Sequence, residues 1–192
     1  MRIVGGQWSG RTLASPKSGA TRPTTDATRE SLFNILSHGF GHDPRKVLDL
    51  FAGTGALGFE ALSRGAENVV FVDSDRAACS VIEKNAVALE APTTSWRLLR
   101  SEKPFEWPVQ LARCGEPFLP FDTIFCDPPY ENRWPERALL ALEKRPGLFA
   151  SGALLCVETS TREPKPELSE LWGLMDERER GTTRLLFYRR GG

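Results

Sequence analysis

The stretch Val47–Gly58 constrains this chain most: an apolar run carrying one carboxylate, Val-Leu-Asp-Leu-Phe-Ala, leads without interruption into Gly-Thr-Gly-Ala-Leu-Gly. A short apolar run followed at once by turn-permitting residues reads as a strand buried on both faces, the hallmark of a parallel sheet. The turn at its carboxyl end is then a ligand platform, because the first peptide N–H groups of the following helix have no intrahelical partners. Gly53 to Gly58 fits G-x-G-x-x-G, a pattern that on its own suggests a dinucleotide site.

Asp49 redirects that reading. It stands four residues before Gly53, where its charge would repel a pyrophosphate but attract a ligand with an ammonium group beside a ribose. S-adenosylmethionine is such a ligand, and D-x-x-x-G-x-G over Asp49–Gly55 resembles the first motif of the Rossmann-like methyltransferases. Asp49, Phe51, Gly53 and Gly55 are thus candidate cofactor-binding residues. The plainer alternative is a strand-turn-helix whose glycines serve packing alone. Asp73 lies 20 residues after Gly53, at the end of the next apolar β-branched run, where a carboxylate reaches the two hydroxyls of a ribose.

A chain of 192 residues with 40% hydrophobic content suits one globular domain with a proper core. No stretch approaches the roughly 20 apolar residues that cross a bilayer, and the N-terminus lacks a signal peptide's apolar segment, so a cytoplasmic location and no membrane partner are expected. The four cysteines, Cys79, Cys114, Cys126 and Cys156, form no C-x-x-C pair, which points to buried thiols rather than a disulfide framework or a zinc site. Net charge is zero, yet residues 1–22 carry Arg2, Arg11, Lys17 and Arg22 and no acid. Such a basic arm gains affinity for phosphate chains by releasing counterions; the alternative is a solvated cationic tail. Trp8 in this arm is either a packing anchor or a surface for base stacking.

In chain order, Arg2–Gly6 and Arg11–Leu13 predict two short strands about a glycine turn, Pro16–Pro23 an extended turn-rich connection, and residues 26–37 a helix. His38 and His42 have an i, i+4 separation but sit among Gly39, Gly41 and Pro44, so they read as loop residues rather than metal ligands. From residue 46 the periods alternate as in a doubly wound sheet. Strands are expected to end near Leu50 and to cover Asn68–Val72, Trp96–Leu99, Phe121–Phe125 and Ala153–Val157. Helices are expected near 56–64, 75–89 and 135–144, with a short irregular one over 104–114. Leu174–Glu179 and Thr183–Tyr188 flank Arg180-Gly181-Thr182 as a closing antiparallel hairpin.

The fourth strand leads into Asp127-Pro128-Pro129-Tyr130, which hydride transfer does not need and amino-group methylation does. The exocyclic nitrogen of a nucleobase is a poor nucleophile because its lone pair is delocalised into the ring. Asp127 and the Pro128 carbonyl can accept its two N–H groups and favour a more pyramidal nitrogen; Pro129 stiffens the turn and Tyr130 can stack on the base. A carboxylate with a pKa of about 4 is too weak to deprotonate that nitrogen beforehand, so Asp127 is read as acceptor and orienter. The alternative is a loop stiffened by two prolines after a strand.

Gly5-Gly6-x-Trp8-x-Gly10-Arg11-x-Leu13, Arg22-Pro23-Thr24-Thr25-Asp26-x-x-Arg29-Glu30-x-Leu32-Phe33-Asn34, the segment Asp49–Ala66 and Asp127–Tyr130 together resemble the bacterial family that methylates the exocyclic N2 of one guanine in small-subunit ribosomal RNA. The resemblance implies a Rossmann-like class I methyltransferase fold: a seven-stranded, mostly parallel sheet flanked by helices, with an N-terminal hairpin and helix extension. It divides the chain into an RNA-binding extension, residues 1–45, and a methyltransferase domain, residues 46–192. It further implies S-adenosylmethionine as methyl donor and 16S RNA in a 30S particle or its precursor as substrate; a monomer and no metal are the accompanying expectations. Arg22, Thr24 and Asp26 carry over as site residues, Thr24 and Asp26 towards the cofactor. The basic arm supplies Arg2, Trp8, Arg11, Lys17 and Arg22 as candidate RNA-binding residues. Family members place an aspartate after the third strand for the adenine amino group; here the run is Leu98-Leu99-Arg100-Ser101-Glu102, so Ser101 or Glu102 takes that place. The same chemistry would also serve DNA adenine or a protein glutamine, and a catalytically silent RNA-binding assembly factor is the reading from another class.

Overall fold

In the computed structural model, which describes residues 1–15, 25–103, 106–128 and 133–191, one seven-stranded sheet organises the chain. The strands are β1 (Lys46–Leu50), β2 (Asn68–Asp73), β3 (Trp96–Arg100), β4 (Phe121–Cys126), β5 (Phe149–Ser160), β6 (Trp172–Arg180) and β7 (Thr183–Arg190). Their order across the sheet is β3-β2-β1-β4-β5-β7-β6. The first five are parallel, and β7 enters antiparallel between β5 and β6. The chain reverses direction between β1 and β4, the switch point at which a parallel sheet opens a crevice at its carboxyl edge.

The helices are α1 (Asp26–Asn34), α2 (Ala56–Ser63), α3 (Arg76–Leu89), α4 (Trp107–Ala112) and α5 (Trp134–Leu142). The expected helix over 26–37 is instead α1 followed by a π-turn, Ile35–Gly39, which contains His38. The wider turn ends by placing Phe40 against Phe187, ring centroids 5.3 Å apart. His42 lies beyond it and shares a 2.7 Å hydrogen bond with Thr123 Oγ1. β5 extends well past the expected Ala153–Val157 at both ends: β7 pairs with it through Ser160, and Phe149 pairs with Phe121 of β4.

Strand alternation divides the core into two layers. Val47, Val69, Phe71, Phe125, Leu154 and Cys156 face the layer containing residues of α1, α2 and α3. Leu48, Leu50, Val70, Val72, Ile124, Cys126, Leu155 and Val157 face that of α4 and α5. Cys79, Cys126 and Cys156 are buried free thiols and Cys114 is half-buried; burial pushes Cys126 and Cys156 far above the ordinary thiol range.

The N-terminal segments pair through an antiparallel bridge between Arg2 and Thr12, with Ile3 N donating to the Arg11 carbonyl at 2.9 Å, Gly10 N to the Ile3 carbonyl at 2.9 Å and Leu13 N to the Met1 carbonyl at 3.0 Å, and the arm is bound to α2 by buried polar contacts. Glu60, fully buried in an otherwise apolar helix, accepts from Val4 N at 2.8 Å, Gly5 N at 2.7 Å and Arg64 Nε at 2.8 Å. It also lies 3.8 Å from Nε of Arg29, itself fully buried on α1. Arg29 donates to the Arg2 carbonyl and, at 2.7 Å, to Asp26. Ser63 donates to the Gly5 carbonyl at 2.6 Å and accepts from Trp8 N at 2.9 Å. A Cβ on Gly6 would sit 1.9 Å from the Ser63 carbonyl oxygen, and its φ of +77° disfavours any other residue. Ile3, Trp8 and Leu13 belong to the same apolar cluster as Phe59 and Phe187.

Candidate active site

The glycine loop is held from below. Gly55 is the N-cap of α2 at φ +75°, and a Cβ there would lie 2.8 Å from the Phe59 ring. A Cβ on Gly58 would come within 2.3 Å of Phe71, so this glycine lets α2 close onto β2. Asp49 is turned under the loop, 2% exposed, and accepts from Gly58 N at 2.9 Å. Burial is the main cause that raises its pKa well above the ordinary carboxylate range; the Gly58 N–H opposes this, and the charges of Asp127 and Asp73 add to it. Asp49 thus supports the loop from beneath rather than offering an exposed contact. Phe51 turns into the left-handed region at φ +58°, a strained conformation for a bulky residue, with its ring 5.5 Å from Trp107 and 5.9 Å from Trp134.

Asp73 reaches back to the same loop, accepting from Gly53 N at 2.7 Å and from Asp75 N at 2.8 Å. Its pKa is raised chiefly by burial, against the pull of those backbone N–H groups. Ser101 donates its N–H to the Asp73 carbonyl at 3.0 Å, and its Oγ is buried with no hydrogen-bond partner among the described residues. Glu102 is exposed and accepts only a long 3.5 Å contact from Arg100. Of the two residues in this place, Ser101 turns inward.

Beyond β4, Asp127 joins Thr28, Leu32, Leu57, Phe125, Cys126, Cys156, Glu158 and Leu185 around a narrow, shallow recess. Asp127 is near enough to Asp49 for each to bear on the same electrostatic environment. Asp26 opens α1 and pairs with Arg29 at 2.7 Å and with exposed Arg2 at 3.4 Å. Lys17, Arg22, Thr24, Pro129 and Tyr130 lie outside the described residues.

Two residues read towards RNA have other partners. Trp8 is buried in the core, which decides between its two roles in favour of packing and removes it as a base-stacking surface. Arg11 donates to the carbonyls of Ala88 and, at 3.1 Å, Leu89, closing the carboxyl end of α3. Sequence reasoning missed Asn85, buried on α3, which donates to the Thr54 carbonyl at 2.9 Å and exchanges bonds with Ala14, tying loop and arm together. It also missed Glu60. In both cases the signal was a polar residue in an inward helical position, Asn85 between Ile82 and Ala86, Glu60 between Phe59 and Ala61. Among the described residues no cluster of three or more His, Cys, Asp or Glu could hold a metal, and no helix is long and apolar enough to cross a membrane.

Residues 1–189 match the family model described as conserved hypothetical protein 95. The chain is 35% identical over 190 residues to ribosomal RNA small subunit methyltransferase D of Escherichia coli, covering 99% of this chain and 90% of that one. It is 34% identical over 190 residues to the Haemophilus influenzae protein of the same name, with 98% and 92% covered. The solved structure of yhhF from Escherichia coli superimposes with a TM-score of 0.80 at 35% identity, covering 100% of this chain and 98% of that one. This chain therefore belongs to the conserved hypothetical protein 95 family, which takes in these small-subunit ribosomal RNA methyltransferases, and its sheet is that of the class I S-adenosylmethionine-dependent methyltransferases.

Proposed function

We propose that this protein methylates the exocyclic N2 of a guanine in 16S ribosomal RNA, with a 30S particle or its assembly intermediate as substrate, residues 1–45 serving as the RNA-binding extension. The observation that carries the reading is the meeting of Asp49, Asp73 and Asp127 at one sheet edge: Leu50 of β1 pairs with Val72 of β2 on one side and with Cys126 of β4 on the other, so the carboxylates stand at the ends of three neighbouring strands. An edge with three carboxylates disfavours pyrophosphate and suits a cationic nucleoside. The residues present suit S-adenosylmethionine: Asp73 for the ribose hydroxyls, Ser101 Oγ, without a hydrogen-bond partner among the described residues, for the adenine, and Gly53 at φ +56° for the tight turn of the loop. When bound, that cofactor supplies an electrophilic methyl carbon on a positively charged sulfur.

The protein's own part is orientation. Asp127 and the Pro128 carbonyl accept the two amino hydrogens, localise the nitrogen lone pair and aim it across the crevice. Asp127 holds its hydrogen until the nitrogen has gained a substituent and become acidic, then releases it to solvent. Pro129 and Tyr130 hold the base in plane. Arg2 is the described cation of the arm that remains largely exposed, suited to a phosphate. Recognition of RNA presented in a folded particle lowers the unstacking cost of a few kcal/mol.

Mass spectrometry of ribosomal RNA from cells with and without the protein tests the assignment. Loss of one N2-methylguanosine from 16S RNA supports it; loss of any other nucleoside, or of none, overturns it. Tritium transfer to 30S particles far above that to short naked RNA is expected, and equal transfer to both would refute the particle as substrate.

A further inference from the structure

The recess beside Asp127 contains a second carboxylate that the methyl-transfer chemistry does not require. Phe125 pairs with Cys156 and Cys126 with Val157, so the next residue of each chain sets Asp127 beside Glu158. Strand alternation turns both to the layer of α1 and α2, since Phe125 and Cys156 lie in that layer and Cys126 and Val157 in the other. Glu158 is half-buried, fixed in the centre of the sheet by its register with Leu185 of β7. The rest of the recess is lined mainly by apolar groups, among them Leu32, Leu57 and Leu185, with Thr28 at the α1 side. Two carboxylates side by side at the carboxyl edge of β4 and β5 match two adjacent donors on the edge of a planar ring.

We propose that Glu158 is a specificity-determining residue that accepts the N1–H of the target guanine while Asp127 holds the neighbouring amino group, so that the pair selects guanine by its donor–donor edge. The proposal rests on guanine N2 as the methyl acceptor and adds the residue that recognises it. Adenine and cytosine each present an amino donor beside a bare ring nitrogen on that edge. Their lone pair would face the Glu158 carboxylate, and a buried acceptor facing an acceptor forfeits a hydrogen bond and adds repulsion. A flipped base read by hydrogen bonds to its Watson–Crick edge is the expected mode for an enzyme acting on a base. Glu158 makes no bond to the reacting nitrogen, so its effect falls on which base is accepted.

The test uses the full-length protein and 30S particles reconstituted with ligated 16S RNA carrying guanine or 2-aminopurine at the modified position. 2-Aminopurine keeps the 2-amino group but has no hydrogen on N1. The wild type should methylate guanine faster than 2-aminopurine by roughly 10- to 100-fold, the worth of one hydrogen bond to a charged group. In Glu158→Gln the amide can donate to N1, and the ratio should collapse to within about threefold. S-adenosylhomocysteine affinity, read by calorimetry, should stay within about twofold. Glu158→Ala, which removes the repelling acceptor, should also lower the ratio, and serves if the glutamine variant does not fold. Equal slowing of both substrates, or an unchanged ratio in a folded variant, overturns the role of Glu158. If the wild type forms no N2-methylguanosine at all, it is the methylation reading that fails, and the two failures are told apart by the product nucleoside.

Discussion

The two halves of the sheet's carboxyl edge are built on different plans. On the β1-β2-β3 side the polar groups are held by backbone amides close in sequence: Asp49 by Gly58, Asp73 by Gly53 and Asp75. On the β4-β5 side Asp127 and Glu158 stand 31 residues apart (158 minus 127), and their walls come from α1 at Thr28 to β7 at Leu185. A site that grips a ligand through loop backbone must be written in one short window. A site that reads the edge of a base needs only the right side chains in the right strands, and sheet topology can bring them from anywhere.

The sharpest way to break this comparison is Asp127→Ala. If the β4-β5 side orients the acceptor and the other side holds the cofactor, turnover should fall by about three orders of magnitude or more, comparable to loss of a key transition-state hydrogen-bonding group. S-adenosylhomocysteine affinity should change less than about threefold. A parallel loss of cofactor affinity, measured by calorimetry, would show that the halves are not separable.

Next in size is Glu60→Ala, which probes what joins the arm to either half. The substitution takes away the buried carboxylate beside Arg29, leaving it the half-exposed Asp26, and removes the acceptor for Val4 N and Gly5 N. Losing one partner of a buried pair costs about 3–5 kcal/mol, or between about 6 and 20 °C of melting temperature for a chain of this size. A loss under 1 kcal/mol in chemical denaturation would mean that the apolar contacts of Ile3, Trp8 and Leu13 suffice.

This contrast also explains what could be read from the sequence. The parallel order, the glycine loop and the carboxyl-edge aspartates were legible because local periodicity and spacing encode them. Trp8 could not be assigned in advance because its burial depends on α2 and the rest of the apolar cluster, elements remote in sequence. The cations of the arm suggested a phosphate-binding surface, yet Arg11 caps α3 with groups 77 and 78 residues away. Glu158 ends an apolar run as Asp73 does, but its neighbour across the sheet is set by the register of β5 with β4 and β7, which local spacing does not encode. Glu60 and Asn85 were legible in principle, as polar residues on inward helical faces, but their partners were not.

Asp73→Asn bears on the cofactor half alone. It keeps an oxygen for Gly53 N and removes the charge that favours bonding to two hydroxyls, so cofactor affinity should fall about 10- to 100-fold. The rate at saturating cofactor should stay within a few-fold of wild type. A lowered saturated rate with unchanged affinity would place Asp73 in the chemistry instead.

The smallest effect has two signs. Because burial above all raises the Asp49 pKa, the folded state disfavours the charged form relative to the unfolded chain. Stability is therefore full below the unfolded value of about 4 and declines as pH rises through the folded pKa, so at neutral pH the group opposes folding. Asp49→Asn can retain the bond from Gly58 N and removes that opposition, so the ligand-free protein should melt higher at pH 7, by about 2–4 °C for each kcal/mol recovered. The gain should vanish below pH 4, where Asp49 is protonated in both states. Above its raised folded pKa, where Asp49 is ionised, the same change removes a negative charge beneath the cofactor loop, and there affinity for the sulfonium of S-adenosylmethionine should drop more than affinity for uncharged-sulfur S-adenosylhomocysteine. A variant that melts lower at pH 7, or that weakens both ligands equally, would mean that Asp49 acts through loop geometry and not through charge.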